Sequence, residues 1–492
     1  MFNFVSKKQF GDYKTIELDG LPPSFFEVNR KNFLSNLKTK LKNYEKDSVL
    51  ILEGGVDIAR FDTDVITYMF LQEANFYYLT GVRETDFYTV LDLKSETITL
   101  FWKVPPESTK IWSYVPTLDS LTKKYGILTK DMVDFYKFLG DRNMTKIYVL
   151  NGTNSDSKKK VKTATLTFPK EYENLAQRVD KTELIYEILA DARTRKSPQE
   201  IDIMSFVCDL TAEAHVSVMK AMKNSINVER DMESTFFEYI SKNYYTRFTG
   251  YQLVCGTGIN SSTLHYNNND QSIKYDNLNL MDMGAKIGGY TSDVTSTIPK
   301  CGKYNILQKE IYNIVLNANR TVQAKMKPGV YWPDMHLLAE NIILDGLQQL
   351  GFLKDGYKIV DMLVDRVAYY FMPHGLGHFM GLDVHDVGGY LSFTPPRLTQ
   401  PGLNLLRTAR YLEENNVLTV EPGIYFIEYH MSKAFNDPKV GKYFNVELCK
   451  NFFNFGGVRI EDNVLVTKDG CRNLTAKLPR NIQDIENIIN NK

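Results

Sequence analysis

The sequence is poor in cysteine, tryptophan and histidine, with five, three and seven copies in 492 residues. The cysteines are odd in number and widely spaced, and none forms a Cys-x-x-Cys pair. This pattern argues against a disulfide framework and against a thiolate zinc site, and it suits a reducing compartment.

The sequence also lacks an excess of either charge, because Lys plus Arg and Asp plus Glu both number 59. Nothing therefore attracts the whole chain to nucleic acid or to an anionic membrane. No run is long and apolar enough to span a bilayer. The start, Met-Phe-Asn-Phe-Val-Ser-Lys-Lys, reaches its first charges too early for a signal peptide. We expect a cytoplasmic protein with no nucleic-acid or membrane partner.

What is present is enough chain for two domains, since 492 residues exceed one ordinary core. The boundary is indicated by a helix start. Ser197 as N-cap, Pro198 at the first helical position and Glu200 three residues after the cap form a capping box. A long helix is expected from there through Lys220. We place the domains at residues 1–190 and 191–492.

The first domain is expected to be α/β with a mixed sheet, because helical and strand patterns alternate. Helical spacing is found over residues 30–45 and 184–192. Strand patterns occur at residues 48–52, 72–81, 87–93, 97–102 and 147–150. This domain has no histidine, so a structural or oligomerising role is favoured. Trp112 is interpreted as a loop packing residue, with a lid over a neighbouring site as the alternative.

Two carboxylates of the second domain lie in strand-like surroundings. Asp282 sits in the apolar stretch Leu-Asn-Leu-Met-Asp-Met-Gly, and Asp293 lies in a β-rich stretch eleven residues later. A hairpin that turns at Gly288 and Gly289 would bring them close, although their facing depends on the turn and any bulge. Two buried anions repel strongly unless a cation lies between them. The alternative, exposed edge carboxylates, is disfavoured by the apolar flanks.

Further candidate ligands follow along the chain. His374-Gly-Leu-Gly-His378 is too rich in glycine for a regular helix, and His385 lies just beyond it. Glu421 ends an apolar strand pattern. Arg459 and Glu461 share one strand face by their spacing of two, so Arg459 could orient ligand carboxylates unless it is a surface ion pair.

The charge of this set predicts two metal ions. Four carboxylates carry four negative charges, which two divalent cations would cancel and one would not. Oxygen ligands with a single imidazole and no cysteine favour Mn²⁺ or Co²⁺, with Zn²⁺ as an alternative. Two such ions about 3.5–4 Å apart can hold a bridging hydroxide and polarise a carbonyl, which is the chemistry of peptide hydrolysis.

These motifs resemble those of one family. Asp-Met-Gly at Asp282, Ser-Asp-Val-Thr at Asp293, Pro-His-Gly-Leu-Gly-His at His378, Val-Glu-Pro-Gly at Glu421 and Val-Arg-Ile-Glu-Asp at Glu461 are similar to the five ligand motifs of the pita-bread metallopeptidases. The family includes methionine aminopeptidases, aminopeptidase P and the Xaa-Pro dipeptidases. Residues 371–390 and 406–410 look most like the eukaryotic-type dipeptidases, and residues 72–81 resemble the family's creatinase-like first domain.

The resemblance implies an α+β pita-bread catalytic domain after the first one, and a role for each residue. Asp282 would bind the first metal, His378 and Glu421 the second, while Asp293 and Glu461 would bridge both. Glu421 would also move the proton between water and the leaving nitrogen.

The resemblance also implies groups around the substrate. His265, His374 and His385 match histidines of the catalytic cleft, with His265 and His385 on the substrate side. Arg407 matches an arginine that holds the substrate's C-terminal carboxylate, which would admit dipeptides and reject longer chains. A surface arginine is the alternative. A homodimer is implied as well, with Trp112 over the partner's site.

The expected activity is hydrolysis of Xaa-Pro dipeptides with release of proline. The alternatives are removal of the first residue from longer Xaa-Pro peptides, as by aminopeptidase P, and a metal-free scaffold protein. Two departures from the dipeptidase pattern occur, Tyr-Asn-Asn-Asn-Asp after His265 and Glu-Glu-Asn-Asn before Val417. The first leaves the substrate preference open, and the second concerns a loop.

Overall fold

The computed structural model describes residues 13–41, 45–66 and 69–491. They divide into two compact units. One contains Asp19–Arg193, and the other contains Thr194–Lys492 together with the segment that ends at Leu18.

The Asp19–Arg193 unit is built on a six-stranded sheet. Its strands are β1 Ser48–Glu53, β2 Phe87–Asp92, β3 Ile98–Trp102, β4 Thr129–Asp131, β5 Lys146–Val149 and β6 Val179–Asp180. Their order is β4-β3-β2-β1-β5-β6. The central β1–β2 and β2–β3 pairs are antiparallel, whereas β3–β4, β1–β5 and β5–β6 are parallel. The predicted mixed sheet is confirmed.

The helices up to the unit boundary are α1 Ile16–Asp19, α2 Pro23–Lys40, α3 Ala74–Thr80, α4 Leu118–Tyr125, α5 Phe135–Gly140 and α6 Glu183–Thr194. Residues Phe33, Leu34 and Leu37 of α2 are buried, as their helical spacing predicts. Residues 42–44, at the end of that predicted helix, lie outside the described residues.

The strand predicted over residues 72–81 is wrong, because this stretch contains α3. Glu73 caps the helix by accepting a hydrogen bond from the Phe76 amide, and Gly81 ends it in the left-handed conformation. Phe76 and Tyr78 are fully buried. Aromatic preference for strands depends strongly on surroundings. Here the two end signals and burial on all sides outweigh that preference.

The second unit combines short strands with long helices, which is an α+β arrangement. Its strands are β7 Phe248–Thr249, β8 Val254–Thr257, β9 Leu278–Asp282, β10 Ala285–Ile287, β11 Tyr290–Thr291, β12 Thr295–Pro299, β13 Val417–Val420, β14 Gly423–Tyr425, β15 Gly457–Arg459, β16 Asp462–Val466 and β17 Cys471–Asn473. Its helices are α7 Pro198–Ala221, α8 Glu229–Tyr244, α9 Ile306–Lys325, α10 Trp332–Gln349, α11 Ile359–Val364, α12 Glu428–Asn436, α13 Val446–Asn451 and α14 Ile482–Ile489.

The predicted capping box opens α7, since Ser197 and Glu200 exchange hydrogen bonds with each other's amides at 3.2 and 2.8 Å. α7 packs on β10 and β11, and α9 packs on β13, β14, β15 and β17. Within the described part of the chain, no helix is both long and apolar enough to cross a membrane.

β9 to β12 form one continuous hairpin, which confirms the predicted turn. Gly288 and Gly289 occupy the turn with φ of 57° and 85°, a combination that side chains strongly disfavour. Asp282 lies opposite Thr295, and the same register continues to the turn. A two-residue turn pairs residues separated by odd numbers. The spacing of eleven therefore puts Asp282 and Asp293 diagonally on one face.

A second hairpin is formed by the two segments β13–β14 and β15–β16. Val420 pairs with Asp462 and Gly423 pairs with Arg459. This register is also continuous, so Glu421 lies directly opposite Glu461. At the next pair of this register, the Ile460 amide donates to the Pro422 carbonyl at 3.3 Å.

Backbone hydrogen bonds join the two hairpins and the histidine segment into one layer. The Glu461 amide donates to the Thr295 carbonyl at 3.2 Å, which links the second hairpin to the first. On the other side, the Glu421 amide donates to the Leu376 carbonyl at 2.9 Å, and the Thr419 amide donates to the His378 carbonyl at 3.0 Å. Neighbouring segments of one layer therefore carry all five candidate ligands.

Candidate active site

A cavity of about 190 Å³ lies over this layer in the second unit. It is lined by nine of the predicted site residues and by Arg459. The nine are Asp282, Asp293, His378, Glu421, Glu461, His265, His374, His385 and Arg407. The tenth, Trp112, belongs to the Asp19–Arg193 unit, where it is 85% exposed.

The five candidate ligands form two overlapping groups. Asp282, Asp293 and Glu461 offer one oxygen each within 4.8 Å of one another. His378, Glu421 and Glu461 do the same with one imidazole nitrogen and two oxygens. Glu461 belongs to both groups, and Asp293 also lies 3.4 Å from His378 Nε2. The geometry suits two adjacent cations that share ligands.

The ring of His378 is oriented as a metal ligand requires. Its Nδ1 donates to the Phe379 carbonyl at 2.9 Å, which leaves Nε2 without a proton in the neutral ring. Nε2 lies 3.5 Å from Glu421 Oε1 and points into the carboxylate cluster. Ligating histidines typically donate their second N–H to such an oxygen, which fixes the ring.

The carboxylates are costly to bury without a cation. Burial raises the pKa of Asp282 to about 7, although Arg459 opposes this shift. Burial also raises the pKa of Glu421 and brings that of Glu461 well above its ordinary value, with neighbouring carboxylates adding to both shifts. For Asp293 burial also acts to raise the pKa, but the combined influence of His378, His385 and Tyr251 is larger and lowers it.

A buried arginine compensates only part of this charge. Arg459 is 3% exposed, and its Nη2 donates to Asp282 Oδ2 at 2.6 Å. It is therefore not a surface ion pair. It offsets one of four negative charges, and the three that remain exceed what one divalent cation supplies. The donor set therefore fits two divalent ions held by oxygen and imidazole ligands.

Several residues that the sequence did not single out hold the ligands in place. The Tyr251 hydroxyl donates to Asp282 Oδ1 at 2.6 Å. Thr295 Oγ1 donates to Glu461 Oε2 at 2.7 Å, and Thr419 Oγ1 donates to Glu421 Oε1 at 3.1 Å. Thr419 precedes its partner by two residues, so the spacing of same-face strand residues could have identified it. No comparable signal marks Tyr251.

The remaining histidines of the cavity are neutral near pH 7. Burial and the positive charge of Arg459 lower the pKa of His374 to about 3. Burial and His378 lower that of His385 to about 2. The pKa of His265 is also lowered, by desolvation and by the positive charges of Arg459 and Arg407. Neutral rings can donate one hydrogen bond without adding charge beside the cations.

His374 is the most constrained of the three. Its Nδ1 donates to the Gly375 carbonyl at 2.8 Å, and its Nε2 accepts from the Tyr425 hydroxyl at 3.1 Å. Tyr425 in turn accepts from Arg459 Nη1 at 2.9 Å. His374 is thereby tied to the same arginine that orients Asp282.

Comparison with known proteins gives matches over both units. Residues 202–468 match Metallopeptidase family M24, and residues 26–148 match Aminopeptidase P, N-terminal domain. The Xaa-Pro dipeptidases of Rattus norvegicus and Homo sapiens are each 37% identical over 95% of this chain and 93% of theirs. A probable Xaa-Pro aminopeptidase of Botryotinia fuckeliana is 34% identical over 92% of this chain and 94% of its own.

Solved structures show the same architecture. Pseudomonas aeruginosa aminopeptidase PepP is 26% identical with a TM-score of 0.76, covering 96% of this chain and 99% of its own. Escherichia coli aminopeptidase P with the inhibitor Pro-Leu has the same coverage, 23% identity and a TM-score of 0.75. The expected pita-bread fold is thereby confirmed. From the family match and the identity over nearly the whole length, the chain belongs to metallopeptidase family M24.

Proposed function

We propose that the protein hydrolyses Xaa-Pro dipeptides and releases proline, with two divalent ions at the carboxylate cluster, Mn²⁺ first and Co²⁺ or Zn²⁺ as the alternatives. One observation carries this proposal. A cavity of about 190 Å³ contains five candidate ligands, three neutral histidines and Arg407. Pockets for drug-sized ligands measure about 300–1,000 Å³, so this cavity suits a smaller substrate. Relatives named Xaa-Pro dipeptidase support the substrate class.

The ligand roles follow the two groups. Asp282 would hold one ion, His378 and Glu421 would hold the other, and Asp293 and Glu461 would contribute to both. When bound, the ions would polarise the scissile carbonyl and lower the pKa of water. Arg459, Tyr251 and the threonines keep the carboxylates oriented during turnover.

Proton transfer is assigned to Glu421. Its pKa is raised by burial, so it takes up a proton more readily than an exposed glutamate. Its side chain is 17% exposed on the cavity side, which gives it access to the leaving nitrogen. The neutral rings of His265 and His385 donate to substrate and transition-state oxygens. His374, whose one N–H is donated to the Gly375 carbonyl, lines the same cavity.

Arg407 is assigned to the substrate's C-terminal carboxylate. It lines the same cavity as the candidate ligands and is half-buried. A guanidinium binds a carboxylate through two parallel hydrogen bonds, whereas an internal peptide carbonyl offers one neutral acceptor. The free carboxylate of a dipeptide therefore binds better than the same position in a longer chain.

Replacing Arg407 by methionine is expected to raise KM for Gly-Pro by about 10–100-fold, because a charged hydrogen bond is worth about 1.5–3 kcal/mol. kcat should change less, since the proposed contact is with the substrate's C-terminal carboxylate and not with the scissile bond. Steady-state kinetics of proline release measure both. The matched variant Arg407→Lys keeps the charge and should fall between wild type and methionine. An unchanged KM in both variants would remove Arg407 from substrate binding.

The second candidate function is the aminopeptidase P reaction on longer peptides. It is favoured by the likeness to solved aminopeptidase P structures and to the fungal relative. A comparison of Gly-Pro with Gly-Pro-Gly-Gly on Mn²⁺-loaded protein decides between the two. Preference for the dipeptide supports the proposal, and preference for the tetrapeptide replaces it. Cleavage of neither, with metal bound, would favour a scaffold protein. An Asp282→Asn variant excludes contaminating peptidases.

We also propose a cytoplasmic homodimer in which Trp112 covers the partner's site. Ile111, Trp112 and Tyr114 are 77%, 85% and 88% exposed, and such contiguous apolar groups often contact another chain. Few cysteines in odd number suit the cytoplasm.

Trp112→Ala is expected to raise KM for Gly-Pro several-fold without changing metal content, since it removes only a wall of the substrate pocket. Kinetics at matched protein concentrations measure this. Val133→Ala serves as the control, because Val133 is an exposed apolar residue of the same unit at 83%. If Trp112→Ala has wild-type dipeptide kinetics, the lid is refuted.

A further inference from the structure

Three buried polar side chains form a hydrogen-bonded network beside residues 374–378, which are called the histidine segment below. His336 and Glu340 belong to α10, and Arg366 follows α11. His336 and Glu340 are one helical turn apart and both are fully buried. Their Nε2 and Oε1 atoms are 3.0 Å apart. Arg366 Nη2 donates to the same Glu340 oxygen at 2.6 Å. These three residues are not among the described residues that line the cavity.

At one end of this network, His336 contacts the histidine segment. The Leu376 amide, in the middle of that segment, donates to His336 Nδ1 at 3.2 Å. The carbonyl of Leu376 accepts from the Glu421 amide at 2.9 Å. His336 is thus linked through one residue, Leu376, to Glu421 and to the segment that carries His378.

The hydrogen bonds fix the protonation of His336. Its Nδ1 accepts from a backbone amide, so it carries no proton. Its Nε2 must then be the protonated nitrogen, which donates to Glu340. Glu340 needs this donor and Arg366 together, because its second oxygen has no described protein partner.

At the other end of the network, Arg366 contacts residues 401–407, which are called the arginine segment below. Arg366 Nε donates to the Pro401 carbonyl at 2.8 Å. The next residue, Gly402, has φ of 82°, and a Cβ there would lie 3.0 Å from Arg366 Nη2. Five residues further on, Arg407 lines the cavity. The positive φ and the close approach of the Arg366 guanidinium therefore favour glycine at position 402.

Arg366 itself adopts a strained backbone. Its φ and ψ are 59° and 36°, the left-handed region that non-glycine residues seldom occupy. Such conformations persist where the surrounding structure over-determines them, and they gather at functional sites. Here the conformation lets one guanidinium reach both Glu340 and Pro401.

We propose that His336, Glu340 and Arg366 form a positioning unit that fixes the histidine segment relative to the arginine segment. Through Leu376, His336 sets the place of His378 and therefore the metal affinity. Through Pro401, Arg366 sets the distance of Arg407 from the metal centre, and this half rests on the proposed dipeptidase function. Neither residue touches substrate or metal.

Two variants of His336 separate its two hydrogen bonds. In His336→Asn the side-chain oxygen lies near the former Nδ1 and can still accept from Leu376. His336→Gln extends to the former Nε2 and can donate to Glu340, but it leaves the Leu376 amide without its acceptor. We measure Mn²⁺ affinity by titration calorimetry on metal-stripped protein, with thermal melts as the folding check.

The expected result is a loss of Mn²⁺ affinity of about tenfold or more in His336→Gln, which is typical when support of a ligand is lost. The Mn²⁺ affinity of His336→Asn should remain near that of wild type, because asparagine keeps the acceptor for the Leu376 amide. Equal affinities in the two variants, or the opposite order, would overturn the role of His336. This readout needs no activity, so it stands even if the protein does not hydrolyse Gly-Pro.

Arg366→Lys tests the other half and remains informative if the histidine variants do not fold. Lysine keeps the charge opposite Glu340 but lacks a guanidinium that spans Glu340 and Pro401. We expect a raised KM for Gly-Pro, a reduced preference for Gly-Pro over Gly-Pro-Gly-Gly, and wild-type Mn²⁺ affinity. Unchanged KM and preference would refute the link to Arg407. Failure of wild type to cleave Gly-Pro would instead refute the proposed function.

Discussion

Glu421→Gln is expected to lower kcat for Gly-Pro hydrolysis by about 10²–10⁴-fold, the usual contribution of a positioned acid–base group. Glutamine keeps the shape and one coordinating oxygen, and the hydrogen bond from Thr419 can persist. It cannot accept a proton from water or return one to the leaving nitrogen.

This loss must be separated from a loss of metal, because Glu421 is also a candidate ligand. Kinetics are therefore measured at saturating Mn²⁺, with bound metal counted by atomic absorption. Glu428→Gln is the matched control, because Glu428 is an exposed glutamate in the same unit. A Glu421→Gln protein that binds metal and retains wild-type kcat would assign proton transfer to another group.

Glu461→Gln is expected to have opposite effects on metal binding and on stability. Glu461 belongs to both ligand groups, so its loss should weaken both ions and reduce Gly-Pro hydrolysis below detection. In the metal-free protein the same change should raise the melting temperature. A buried carboxylate must either stay charged in a low-dielectric site or take up a proton, and glutamine avoids both costs.

The size of this stabilisation is about 1–3 kcal/mol, or a few degrees in melting temperature for a unit of this size. Thermal melts of chelator-treated proteins at pH 7.5 measure it. Added Mn²⁺ should then raise the melting temperature of wild type strongly and that of the variant little, because only binding to the folded state stabilises. If the metal-free variant melts at a lower temperature than wild type, the buried Glu461 carboxylate does not destabilise the metal-free fold.

Local residues predicted the turn of the first hairpin in the second unit, whereas its α+β pita-bread fold was expected from the resemblance to the metallopeptidase family. Glycines at 288 and 289 specified the turn, and that turn decides which carboxylates share a face. The register itself could not be read from the sequence, since the odd spacing of Asp282 and Asp293 is compatible with several turn lengths. The direct pairing of Glu421 with Glu461 was likewise hidden, because it depends on contacts between segments about forty residues apart.

The misassigned segment at residues 72–81 shows where local preference fails. Its aromatic residues favour strands when one face is exposed, but here they are buried on all sides and the ends are capped. The supporting residues were missed for a related reason. Tyr251 and His336 act through contacts with segments distant in the sequence, and a lone tyrosine or histidine carries no local pattern.

Dipeptide hydrolysis by two metal ions is tested most directly by proline release from Gly-Pro as Mn²⁺ is added stepwise to metal-stripped protein, with bound metal measured at each step. If hydrolysis needs two metal ions, we expect no activity without metal, a rise in activity that ends at two ions per chain, and no activity at any metal level in Glu461→Gln. Full activity of the metal-free protein, or of the variant, would contradict that requirement.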